Sequence, residues 1–106
     1  MKKVILFLST LIALNASAET EIIEINIKDH KFDPAIVTAP SGKRIKLVVS
    51  NKDTTIEEFE SSDLNREKII PPGKKVNIIL APLKAGEYKF EGEFHADTAQ
   101  GVLVVE

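Results

Sequence analysis

From Ile23 to Val105 the apolar residues recur at every second position in short runs, and most runs are closed by a proline, glycine, asparagine or serine. A two-residue period is that of a strand with one face buried, and no run carries the 3.6-residue spacing of an amphipathic helix. Ile23, Ile25 and Ile27 alternate with Glu24, Asn26 and Lys28, and Ile45, Leu47 and Val49 alternate with Arg44, Lys46 and Val48. Val76, Ile78 and Leu80 mark a further run. Residues 35–39 after Pro34, Ile56 to Glu60 around Phe59, Tyr88 to Phe94 and Val102 to Val105 complete the set. About seven short strands separated by turn signals predict an all-β fold, an antiparallel sandwich.

Two places resist this simple reading. Phe32 and His30 share a face with each other but not with Ile27, so the parity change predicts a bulge or bend near Asp29. The polar stretch from Ser61 to Lys68, with Leu64 as its main apolar anchor, reads as a crossover loop containing a helical turn and ending at Pro71-Pro72-Gly73.

The first eighteen residues have the pattern of an export signal: Lys2 and Lys3, an apolar run from Val4 to Leu14, then the small residues Ala16-Ser17-Ala18. The domain is then expected to occupy residues 19–106. The apolar run is about half of the roughly 20 residues that cross a bilayer, so no membrane-spanning domain is expected. Removing Lys2 and Lys3 from the 14 basic residues leaves 12 against 16 acidic ones, a balance of about −4. An acidic, exported chain is poorly suited to nucleic acid or anionic lipid and better suited to cations. There is no cysteine to staple so small a domain, so packing must stabilise it.

Candidate chemistry concentrates in three places. His95 lies just beyond an aromatic strand in the loop between Gly92 and Gly101, and His30 follows the first strand. Glu57 stands two residues before Phe59, so on an extended strand both point to one face. If Phe59 is core, Glu57 points inward and needs a cation, a hydrogen-bond network or water. If the first strand, the Ile45 to Val49 strand and the Tyr88 to Phe94 strand all run toward one pole, then His30, Glu57 and His95 converge there. Imidazole and carboxylate donors suit Cu(II), Zn and Fe. Glu93 is a fourth candidate, ranked last.

Each residue has a plainer alternative. His95 can be a loop residue bonded to backbone, His30 can cap the bend before Phe32, Glu57 can pair with a lysine or arginine, and Glu93 can be an exposed strand residue. The carboxylates Glu57, Glu58, Glu60, Asp63 and Glu67 read either as an acidic landing surface or as a solvated face. No nucleophile elbow and no phosphate-cradling glycine loop is present.

With these residues in view, the mature chain resembles the cupredoxins. In blue-copper members a His stands two residues before an aromatic, and a Cys, a His and a Met follow in the last loop. Here the resemblance puts Phe59 at the aromatic, Glu57 at the first His, Gly92 at the Cys, His95 at the second His and Ala99 at the Met. One of four ligands survives, and without thiolate the site loses the soft donor that holds Cu(I). The strings EEFESSDLNREK (residues 57–68), PLKAGEY (residues 82–88) and GEFHADTAQG (residues 92–101) look like the subgroup associated with bacterial high-affinity iron uptake.

That resemblance implies a cupredoxin-like Greek-key sandwich and a periplasmic protein that binds Cu(II) or an iron ion beside an iron permease or an iron-binding partner. The competing expectation is a metal-free adaptor that holds a partner through its acidic 57–67 region. A ferrous oxidase is disfavoured, because a site without sulfur stabilises Cu(I) poorly; no enzymatic role is expected.

Overall fold

In the computed structural model, which describes residues 19–106, the two-residue alternation is realised as nine strands. They are β1 (Thr20–Lys28), β2 (Lys31–Asp33), β3 (Ile36–Ala39), β4 (Arg44–Asn51), β5 (Glu57–Ser61), β6 (Arg66–Ile70), β7 (Lys75–Leu80), β8 (Gly86–Gly92) and β9 (Gln100–Val105). One sheet has the order β2-β1-β4-β7 and the other β3-β9-β8-β5-β6. The expected export signal lies outside the described residues.

The sandwich is not wholly antiparallel, which corrects the sequence reading. β1 runs parallel to β4, and β3 runs parallel to β9. A parallel pair needs a crossover. The chain makes it by leaving the first sheet after β2, adding β3 to the edge of the second, and returning as β4 beside β1. The ends of β1 and β4 therefore lie at the same pole, which is what brings the β1–β2 turn and the β4–β5 loop together.

The inward set is the one the alternation marks. Ile25, Ile27, Ile45, Leu47, Val49, Phe59 and Leu103 are fully buried, and Ile78, Leu80, Phe90 and Val105 nearly so. Burying each such side chain stabilises the fold by roughly 1.5–3 kcal/mol, which in a chain without disulfides is the principal support. Three aromatic rings close the core beneath the pole: Phe90 meets Phe32 edge-on at 4.9 Å between ring centres and stacks on Phe59 at 5.0 Å. Phe32 and Phe59 each stand two residues after a polar residue of the pole, His30 and Glu57.

Three local expectations are corrected or sharpened. The bend expected near Asp29 is made as a tight hairpin turn and not as a bulge: β1 pairs antiparallel with β2, Lys28 opposite Lys31, and the two turn residues Asp29 and His30 have φ of 53° and 59°. The stretch read as a crossover loop is a β5–β6 hairpin, turning at Asn65 (φ 56°) with Leu64 tucked into the core. β6 is an edge strand in which only Ile70 is buried, so it has no alternation to read. The strand expected to reach Phe94 stops at Gly92, and Glu93–His95 form a single 3-10 turn.

Candidate metal centre

Glu57 opens β5 and alternates inward with Phe59 and Ser61. The residue is 1% exposed. Oε1 accepts the backbone N–H groups of Glu58 and Phe94, both at 2.9 Å, and Oε2 lies 2.8 Å from His95 Nδ1. Among the described residues no lysine or arginine pairs with it, so His95 is its only side-chain partner. An unmatched buried carboxylate costs several kcal/mol. The matching positive charge can be a proton on the His95 ring or a metal ion.

His95 ends the 3-10 turn and is 23% exposed at its side chain. The N–H groups of Thr98 and Ala99 donate to its carbonyl at 3.1 and 2.8 Å, and the Gly92 N–H donates to Ala99 O at 2.9 Å. These bonds clamp the loop so that the ring points at Glu57. His30 lies face to face with it, 3.6 Å between ring centres and 10° between planes. Its Nε2 is 3.3 Å from Thr55 Oγ1. The Thr98 hydroxyl donates to His30 O at 2.7 Å and ties the two histidine loops together.

His30, Glu57 and His95 therefore meet at one pole, and the glutamate is not locked to a lysine or arginine. They do not present one set of converging donors. Imidazole lone pairs lie in the ring plane, so two parallel stacked rings cannot both aim at a single ion. In this arrangement His95 and Glu57 form the donor pair, and His30 joins only if its ring leaves the stack.

Glu93 faces elsewhere. Its carboxylate lies with those of Glu60 and Glu91, whose donor atoms are all within 4.8 Å of one another. Glu60 is directly opposite Glu91 on one side and Glu67 on the other. A hydrogen bond with Glu93, desolvation, and the charges of Glu93, Glu67 and Glu58 push the Glu60 carboxyl up to about 7. These carboxylates lie on the outer face of the sheet, away from the histidine pair.

Four positioning residues escaped the sequence reading. Buried Asn51 donates to Thr55 O and Ile70 O, both at 2.9 Å, and accepts the Asp53 N–H at 3.0 Å. The Asp53 carboxylate accepts the N–H groups of Asp29 and His30 at 2.8 and 2.9 Å, holding both turn residues in their left-handed conformation. Desolvation works to raise the Asp53 pKa, but the bonds from His30 and Asp29 and the charges of His30 and Lys28 outweigh it and hold it below the usual value. Thr55 and Thr98 are the other two. In the sequence the Ser50-Asn51-Lys52-Asp53 cluster signals only a strand stop.

The donor set decides which ion chemistry fits. The resemblance puts the thiolate of blue-copper members at Gly92, and a Cβ there would lie 2.6 Å from Glu57 Oε2 and 2.7 Å from Ala99 Cβ. The carboxylate itself fills that volume, so a blue-copper set does not fit. The 2.8 Å between Nδ1 and Oε2 is a hydrogen-bond distance, so an ion held by both would take the place of the shared proton, and a nitrogen with an oxygen donor suits a borderline or hard cation such as Cu(II) or iron.

Comparison with known proteins agrees with this architecture. A family model for the cupredoxin-like domain matches residues 3–105. An uncharacterized protein of Rickettsia prowazekii is 58% identical over 83 residues, which are 78% of this chain and 66% of that protein, so the chain spans just under two thirds of its relative. Among solved structures, auracyanin A, a blue copper protein of Chloroflexus aurantiacus, superposes with a TM-score of 0.71 at 16% identity, covering 83% of this chain and all of the other. The metal-binding domain of a Streptococcus pneumoniae Cu(I)-exporting P-type ATPase does so with a TM-score of 0.71 at 15% identity, covering 82% and 86%. At such identities the structural likeness speaks for the fold.

Proposed function

This chain belongs to the cupredoxin-like domain family, and on that premise we propose that it is an exported, non-enzymatic protein that binds Cu(II) or an iron ion through His95 and Glu57. In this reading it works in the periplasm in bacterial iron uptake, alongside an iron permease or an iron-binding partner protein. The carrying observation is the buried Glu57 carboxylate whose only side-chain partner among the described residues is an imidazole. A bound cation supplies the positive charge that site calls for. Glu57 and His95 hold the ion, the amides of Glu58 and Phe94 hold Glu57, and His30 covers the His95 ring. The three strings quoted above support the iron-uptake setting. No helix among the described residues is long and apolar enough to cross a membrane.

His95→Ala and Glu57→Gln are each expected to weaken Cu(II) affinity at least about tenfold, or about 1.4 kcal/mol, in a competition titration. Unchanged affinity in both variants refutes the site. Because Cu(II) outcompetes other divalent ions at nitrogen and oxygen sites, the working metal is to be read from protein purified out of its native compartment.

A second reading, a metal-free adaptor that docks through the acidic 57–67 region, is favoured by the cross-strand row Glu91, Glu60 and Glu67. Like charges directly opposite one another destabilise a sheet, and a cationic partner would relieve them. Partner capture lost on charge reversal at Glu60 or Glu67, with no metal bound, would select it.

A further inference from the structure

The end of the first sheet next to His30 has the opposite character to the acidic face. β1 and β4 end there and antiparallel β7 begins there, so Lys28, Lys31, Lys52, Lys74 and Lys75 are gathered from three connections that are distant in sequence. Lys28 is directly opposite Lys31, the Lys52 N–H donates to Ile27 O at 2.8 Å, the Asn51 N–H donates to Lys74 O at 2.8 Å, and Lys75 is opposite Ser50. All five lysines are exposed, and none is ion-paired among the described residues. Lysine opposite lysine costs stability in a sheet. In a chain with more acidic than basic residues, this concentration is not a reflection of overall charge.

The carboxylates nearby offset it on one side only, where the Asp53 charge acts on Lys28. Asp53 spends both oxygens on the amides of Asp29 and His30, which leaves Asp29 as the outward-facing acid of the turn. Two adjoining concavities share Lys52. One, of about 520 Å³, is lined by Ser50, Asn51, Lys52, Gly73, Lys74 and Lys75 and has no carboxylate in its wall. The other, of about 450 Å³, runs past Lys28, Thr54 and Thr55 to His30, and carries the carboxylates of Asp29 and Asp53 in its wall.

We propose that this lysine rim docks an acidic segment of a partner protein beside the His30–His95 pair. A single small anion in the first hollow reaches only three of the lysines, whereas carboxylates spaced along an extended chain also reach the exposed Lys28 and Lys31 beyond it. A planar anionic membrane cannot follow concavities that recede from it. The lysines steer the encounter and set its orientation, so the interaction is strong at low salt and screened as ionic strength rises. It goes beyond the metal-binding reading and stands on the charge distribution, not on a bound ion.

The test uses the mature domain, residues 19–106, with an oligoglutamate peptide as the probe, followed by NMR shift mapping and fluorescence anisotropy at about 20 and about 150 mM salt. Expected are shifts centred on Lys28, Lys31, Lys52, Lys74 and Lys75, and a loss of affinity of at least about tenfold in the combined variant Lys52→Glu, Lys74→Glu, Lys75→Glu. The corresponding Lys→Gln variant, which keeps the side chains polar without reversing charge, should fall between. Neither is expected to change Cu(II) affinity, because none of the three lysines touches Glu57 or His95. No peptide binding at low salt, undiminished binding by the Lys→Glu variant, or stronger capture by vesicles of anionic phospholipid than by the peptide overturns the proposal. Loss of metal binding with peptide binding intact would instead count against the metal site alone.

Discussion

Replacing Gly92 with alanine adds one methyl group at the point where the pole is tightest. Its Cβ would lie 2.6 Å from Glu57 Oε2, 2.7 Å from Glu57 Cδ and 2.7 Å from Ala99 Cβ, all well inside contact distance. Ala99 cannot recede, because it is fully buried and its backbone is bonded to both Gly92 and His95. The carboxylate must move instead, and it is held by two amides and an imidazole. Overpacking by itself costs about 1–3 kcal/mol. Disturbing the bonds of a buried charge adds to that, toward the roughly 3–5 kcal/mol of a broken buried pair. The expected loss is about 2–4 kcal/mol, read as a lower urea midpoint at unchanged slope. For a domain of this size that lowers Tm by about 10–25 °C. Cu(II) affinity should fall with it. Gly101→Ala is the control: its Cβ would collide with the Phe90 ring in the core, so it should destabilise comparably while leaving the Glu57–His95 pair and the metal affinity of the folded protein alone. A Gly92→Ala protein within about 0.5 kcal/mol of the parent, with full Cu(II) affinity, would refute the claim that Glu57 fills the thiolate volume.

Two pH-dependent outcomes follow from the carboxylates. Asp53 has its pKa lowered by folding, so its contribution to stability is present above the usual carboxylate range and is lost as pH falls through the folded value. Asp53→Asn should flatten that acid-side loss in urea titrations, and Asp53→Ala should also broaden the His30 ring resonances, since two turn amides lose their acceptor. Glu60 has the opposite sign: its folded pKa of about 7 lies above the ordinary 4.5, so stability falls as pH rises between those values. Glu60→Gln should abolish that decline, and an unaltered pH profile would show that the Glu60–Glu93 hydrogen bond is not formed in solution.

Much of the fold was legible because burial in a sandwich is written as a period of two. The runs around Ile25, Leu47 and Ile78 declare which face is core without reference to any partner strand. β6 was not legible, since an edge strand with one buried residue has no period, and the β1–β2 hairpin imitated a bulge because Asp29-His30 lacks the glycine usual in such a turn. The inward direction of Glu57 followed from its two-residue spacing to Phe59. The supporting frame did not, because Asn51, Asp53 and Thr98 reach partners through hydrogen bonds that no local pattern announces.

What the chain's own letters decide is an all-β domain with a carboxylate turned into its core and no sulfur ligand, since periodicity and composition are properties of the sequence itself. What waits for the tertiary structure is convergence. Whether His95 meets Glu57 depends on β5 pairing with β8, and whether His30 reaches that pair and five scattered lysines share one end depends on β1 and β4 running side by side in the same direction. That relation is made by a crossover, and strand direction leaves no trace in the spacing of side chains.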